Sequence, residues 1–124
     1  MKEEYKNDEF LAALDAAGAD VDGALNRFMG KVFLYEKFMK KFLDDRSYPD
    51  MLDCLAGHDL EEAFRQAHTL KGVAGNLGIN NLLAVLVPMV EALRAGNEPS
   101  EEQVNACKVE YEKIVNIIKE YRSE

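Results

Sequence analysis

Two histidines occur in the 124 residues, and one stands where its neighbours invite chemistry. The stretch "AHTLKGVAGNLG", residues 67 to 78, places His68 three residues before Lys71, four before Gly72 and seven before Gly75. Those separations put side chains on one side of an α-helix. The stretch starts in helical rhythm, yet each glycine inside a helix costs about 1 kcal/mol relative to alanine. Advancing about 100° per residue groups Ala63, Phe64, Ala67, Leu70, Ala74 and Leu77 into a core face. On that wheel His68 lies roughly 130° from the centre of the core face, toward solvent. Gly72 and Gly75 continue its line one and two turns along, with Lys71 at the boundary between core and solvent. The pattern predicts an exposed imidazole and a cation able to neutralise an anion attached to it. Ahead of both lies a strip of bare backbone that another protein could approach closely. A lone helical histidine is usually an ordinary surface residue; the glycines and lysine in register set His68 apart. His58, in "AGHDLEE" between a helix-stopping glycine and a helix cap, reads as a linker residue.

The elements that must position His68 are all helical, with no strand signal, repeat or low-complexity linker. A short helix is expected from about Asp8 to Ala17, stopped by Gly18, and a second, "VDGALNRFM", capped by Asp20 and ending at Gly30. A third runs from about Lys31 to Arg46, with Leu34, Phe38 and Phe42 on one face. Pro49 can open a helix of one or two turns ending at Gly57. Asp59, with Glu62 three residues on, forms a capping-box pattern for the helix that carries His68, and Gly78 stops it. Another helix spans about Asn80 to Ala95, with Pro88 inside it, and stops at Gly96. The last starts at Ser100, with Gln103 at the capping-box position. Its seam is Val104, Cys107, Tyr111, Ile114, Ile118 and Tyr121. Long helices joined by short turns favour an all-α antiparallel four-helix bundle with two short additional N-terminal helices.

Composition narrows the function classes. With 48% hydrophobic and 31% charged residues the chain is not of disordered type, and its length suits one domain, residues 1–124. A net charge of -8 argues against nucleic acid, whose phosphates need a basic face. "MKEEYKNDEF" is too charged for a signal peptide, and "LLAVLVPMV" falls far short of the roughly 20 apolar residues of a membrane helix. A cytoplasmic protein with no membrane contact is expected, with Cys54 and Cys107 reduced and structural. Phosphate-binding loops of the GxxxxGK[ST] type are missing, and "GVAGNLG" reads as helix interior and C-cap. A di-iron or di-manganese bundle needs Glu-x-x-His on two helices. Arg65 precedes His68 by three and Leu55 precedes His58 by three, so neither a metal site nor a cofactor is expected.

His68, Lys71, Gly72, Ala74, Gly75, Leu77 and Gly78 together resemble the motif of the histidine-containing phosphotransfer (HPt) domain family. Upstream, "GADVDGALNRFMGKVFLYEKFMKKF", with its Ala-Leu, Arg-Phe and Leu-Tyr pairs, is similar to that family's N-terminal portion. The resemblance spans about residues 8 to 121. It implies a four-helix bundle, leaning monomeric, whose histidine carries a phosphoryl group. His68 would take that group on Nε2 from the aspartate of a receiver domain, or from a kinase, and pass it to another receiver. Lys71 would stabilise the phosphoryl oxygens, and Gly72 would leave room for the partner. The partners implied are receiver domains of response regulators or hybrid histidine kinases, which supply the Mg²⁺. The docking face is expected around His68 with Arg65, Lys71, Gly72 and Gly75, joined by apolar residues of the third helix. Some family members carry a glutamine 22 residues after the histidine that orients the ring; here Val90 stands there, with Glu91 beside it. Two other readings stay open: an adaptor that binds receivers without carrying phosphate, and the phosphoacceptor domain of a larger sensor or chemotaxis-type kinase. The ending "IKEYRSE", without a linker, favours a free-standing protein.

Overall fold

The computed structural model describes residues 1–122. Among them, a 3₁₀ turn at Glu3–Tyr5 precedes α1 (Glu9–Ala16), α2 (Val21–Arg27) and α3 (Val32–Lys41). A second 3₁₀ turn, Phe42–Asp44, leads to α4 (Ser47–Ala56), α5 (Leu60–Leu77), α6 (Asn80–Arg94) and α7 (Glu101–Tyr121). No strand occurs among the described residues.

Polar side chains start the helices as the sequence indicates. Asp8, Asp20 and Asp59 accept from the backbone N–H groups of Leu11, Gly23 and Glu62 at 3.0, 3.1 and 3.2 Å. Each such cap contributes about 1 kcal/mol by satisfying an otherwise orphan donor. Ser100 and Gln103 close a complete capping box on α7. The box expected at Asp59 is only half made, because the Glu62 carboxylate turns outward to Arg65 and Gln66.

The third element departs from expectation in length and in face. It is α-helical only to Lys41 and then tightens into the 3₁₀ turn. Its buried residues are Tyr35, Met39 and Phe42, whereas Leu34 is half-buried and Phe38 is 41% exposed. The expected face held only at Phe42. Tyr35 takes the core position because its hydroxyl finds a partner there, donating to the Leu77 carbonyl at 2.8 Å. The fourth helix begins two residues before Pro49 and runs for ten residues rather than one or two turns. Asp45 starts it, accepting from the Ser47 N–H at 2.8 Å and from the Ser47 hydroxyl. Pro49 is thus the third helical residue, where its missing N–H leaves no intrahelical bond unmade.

α5 is the element the others hold. Ala63, Ala67, Leu70, Ala74 and Leu77 are buried on it, and it packs against α4 and α6, with α2 and α3 also in contact. α6 packs in turn on α7, and α1 lies against α7. Pro88 sits within α6, which continues through it to Arg94. Of the α7 seam, Cys107, Ile114 and Ile118 are fully buried. Tyr111 is half-buried and stacks on Tyr48 at 3.8 Å between ring centroids.

The last four carbonyls of a helix have no intrahelical donor. At the end of α5 each finds one elsewhere. Ala74 O accepts from Ile79 N at 2.9 Å. Gly75 O and Asn76 O accept from the Arg27 guanidinium at 2.8 and 3.0 Å. Leu77 O accepts from Tyr35. Gly78 then turns the chain at φ +70, and its own carbonyl accepts from Asp20 N at 2.7 Å. A Cβ on Gly78 would meet Asp20 O at 2.7 Å and the Ala24 Cβ at 3.0 Å. Left-handed strain and overpacking therefore combine, and Gly78→Ala should destabilise the protein by about 3 kcal/mol in urea unfolding.

Candidate functional site on the exposed face of the fifth helix

His68 is exposed on α5, and Thr69 beside it is also exposed. Gly72, one turn on, is exposed, and Gly75, two turns on, is half-buried. A Cβ built on either glycine would meet nothing within 4 Å. Nothing inside the chain requires glycine at these two positions, in contrast to Gly78. Lys71 is half-buried at the boundary, and among the described residues no carboxylate pairs with it. Lys71 stands three residues after His68 on the same helix, and its ammonium is not spent on an ion pair among the described residues.

Arg65, one turn before His68, is exposed but engaged. Its guanidinium donates to Glu62 at 2.5 Å and to Glu61 at 2.8 Å. Hydrogen bonds from Arg65, then from Gln66, hold the Glu62 carboxyl below its ordinary range. Arg65 can face a partner only in company with these two carboxylates.

Phe64 is the site residue that wheel reasoning misplaced. It is half-buried at the rim of the core, not inside it, and its ring stacks on the His68 imidazole at 5.8 Å and 29°. The Arg94 guanidinium lies 5.2 Å from the centre of the Phe64 ring. Phe64 is four residues before His68, so its contact was legible as an i,i+4 neighbour. Arg94 arrives from α6 and left no local signal. Val90 is fully buried, and among the described residues nothing hydrogen-bonds the His68 ring.

Two further features border this face. Phe38, Lys41 and Asp45 together with Val73, Asn76 and Leu77 line a shallow groove of about 220 Å³ between α3 and α5. Lys41 lies over the Phe38 ring at 5.4 Å. His58, by contrast, sits in the α4–α5 turn at φ +57, with Nδ1 3.0 Å from Glu98 Oε1. It ties two loops together, as befits a linker residue.

Residues 8–121 match the Hpt domain family. The chain belongs to that family. It matches no curated protein and no solved structure. Hpt domains serve histidine phosphotransfer in two-component signalling, as phosphocarriers rather than enzymes, and interact with receiver domains. The matched region takes in every helix from α1 to α7. None of those helices is long and apolar enough to cross a membrane.

The two bare glycines lead to a stability prediction. Gly72→Ala removes the entropic cost of glycine in a helix and meets no neighbour, so it should stabilise the fold by about 1 kcal/mol. Thermal unfolding should shift upward by about 4 °C. A lower melting temperature would mean that the fold itself needs glycine there.

Proposed function

We propose that this chain is a phosphohistidine carrier in a phosphorelay, with His68 as the phosphoacceptor. The observation that carries the reading is the exposed imidazole followed by glycine one and two turns along the same line of α5, each facing open space. A receiver's active site is a recess around an aspartate, and an incoming histidine must reach into it. Bulk at Gly72 would strike the rim of that recess before Nε2 reached phosphorus.

The chemistry asks little more. The Nε2 lone pair attacks the phosphorus of the aspartyl phosphate in line. The N–P bond forms as the P–O bond to aspartate breaks, and the carboxylate leaves. Transfer onward is the reverse at a second receiver. The transition state is loose, so positioning and charge neutralisation do most of the work. Lys71 supplies one cation to the phosphoryl oxygens, and the receiver supplies its Mg²⁺. The chain offers no phosphate-binding loop for ATP, so a receiver or a separate kinase charges it. On this reading Arg65, Gly72 and Gly75 belong to the docking face, and Phe38 with Val73 extends it toward α3.

The fold is read as one domain, residues 1–124, in which α4, α5, α6 and α7 form an antiparallel four-helix bundle, closed by the Tyr48–Tyr111 stack between α4 and α7, with α3 against α5 and α7. α1 and α2 are the short additional N-terminal helices. The short turns between α5 and α6 and between α6 and α7 support that arrangement, as do the packing of α1 on α7 and of α2 on α5. The protein acts as a cytoplasmic monomer.

Single-turnover transfer from an aspartate-charged receiver of the same genome, in Mg²⁺, tests the reading. Wild type should take the phosphate and His68→Gln should take none. Lys71→Ala should slow transfer by about ten-fold, the loss of one charge-assisted contact. Gly72→Glu should block transfer while leaving the helical fold intact. Normal transfer by Gly72→Glu would show that the partner docks elsewhere.

A further inference from the structure

An exposed imidazole can turn about both of its side-chain bonds unless a neighbour restrains it. Val90, on the adjacent helix, is buried and has no polar atom to offer the ring. What touches the ring is Phe64, stacked on it at 5.8 Å with the planes 29° apart, within the range of favourable aromatic pairs. Phe64 is itself fixed. It is half-buried and packs against the core, and with Leu60, Leu93 and Arg94 it lines a groove of about 380 Å³. The Arg94 guanidinium lies over it at 5.2 Å, and Arg94 Nε is held 3.6 Å from Glu91 Oε1.

We propose that Phe64 is the positioning residue for His68, and that Arg94 clamps Phe64 in place. The proposal rests on the phosphocarrier reading. The lone pair of an imidazole nitrogen lies in the ring plane. Fixing the plane therefore fixes the line along which Nε2 can meet phosphorus. A stack does this through the ring face and leaves the in-plane lone pair uncovered. It differs from an amide hydrogen bond in one respect: it sets the plane without selecting which nitrogen holds the proton. The pair Phe64–Arg94 spans α5 and α6, so the imidazole takes its orientation from the packing of two helices rather than from one polar contact.

The test separates orientation from reactivity. Phosphoramidate labels an accessible histidine without docking: Nε2–P forms, the P–N bond of the reagent breaks, and ammonia leaves. Transfer from the charged chain to a saturating Mg²⁺-bound receiver needs the ring correctly aimed. Phe64→Leu keeps apolar bulk but has no ring face, and Phe64→Tyr keeps the face. For Phe64→Leu, transfer to the receiver should slow by about three- to ten-fold, while labelling by phosphoramidate stays within about two-fold of wild type. Phe64→Tyr should behave as wild type in both, and Arg94→Met should fall between. The His68 ring protons should lose their aromatic ring-current shift in Phe64→Leu and keep it in Phe64→Tyr. Wild-type transfer by Phe64→Leu would overturn the proposal, as would an equal fall in both reactions or ring protons that do not move. If phosphoramidate labels the wild type but no receiver unloads it, the phosphocarrier reading fails and the positioning role falls with it, whatever the ring protons show.

Discussion

The capture of the α5 carbonyls by α2 and α3 is the constraint on which the rest depends. α5 carries two glycines in its interior and must still present one face at a fixed place. A helix weakened by about 1 kcal/mol at each glycine needs support from outside itself. Arg27 and Tyr35 give it that support, reaching the carbonyls of Gly75, Asn76 and Leu77 from elements 42 to 49 residues earlier in the chain. Asp20 adds the bond to Gly78 O, and that approach is close enough to exclude a side chain on Gly78. Asp59 fastens the other end. Between those ties, three alanines, Leu70 and Leu77 bury one side of α5. The opposite side stays open without loss of position.

That division explains how one helix meets opposite demands. Burial wants small, close-packing residues on the inner face; a partner wants nothing bulky on the outer one. Glycines appear in both roles and can be told apart physically. Gly78 is required by its neighbours inside the chain, whereas Gly72 and Gly75 face open space and weaken the helix they sit in. On the proposed reading, this local cost with no internal return leaves a surface open to another molecule. Charge follows the same division. The chain is acidic as a whole, with a net charge of -8, yet Lys71, three residues after His68, has no carboxylate partner among the described residues. Arg65 does not, since Glu61 and Glu62 hold it.

Much of this was legible in the sequence, and the misses have physical causes. Caps and glycine stops are local, so the bounds of α5, α6 and α7 follow from Asp59, Gly78, Gly96 and Ser100. The spacing of His68, Lys71 and the glycines is also local, and it carries the exposed face. The buried side of α3 was not legible, because apolar residues occur on both sides of that helix. Tyr35 wins only through a carbonyl forty-two residues away. The start of α4 was masked by Pro49, the stronger sequence signal, although it is Asp45 that binds the backbone and hydroxyl of Ser47 at the first helical residue. Phe64 was assigned to the core by its angle on the wheel. Its ring in fact bridges core and surface, and its second partner, Arg94, comes from another helix.

The central claim is that this chain carries phosphate on one particular histidine, and the presence of two histidines makes the claim sharp. The decisive measurement is to charge the purified protein, digest it under mildly alkaline conditions and map the phosphate by mass spectrometry. The account predicts acid-labile, base-stable phosphate confined to the peptide that contains His68. Phosphate on His58, or a charged chain with none on either histidine, would contradict it.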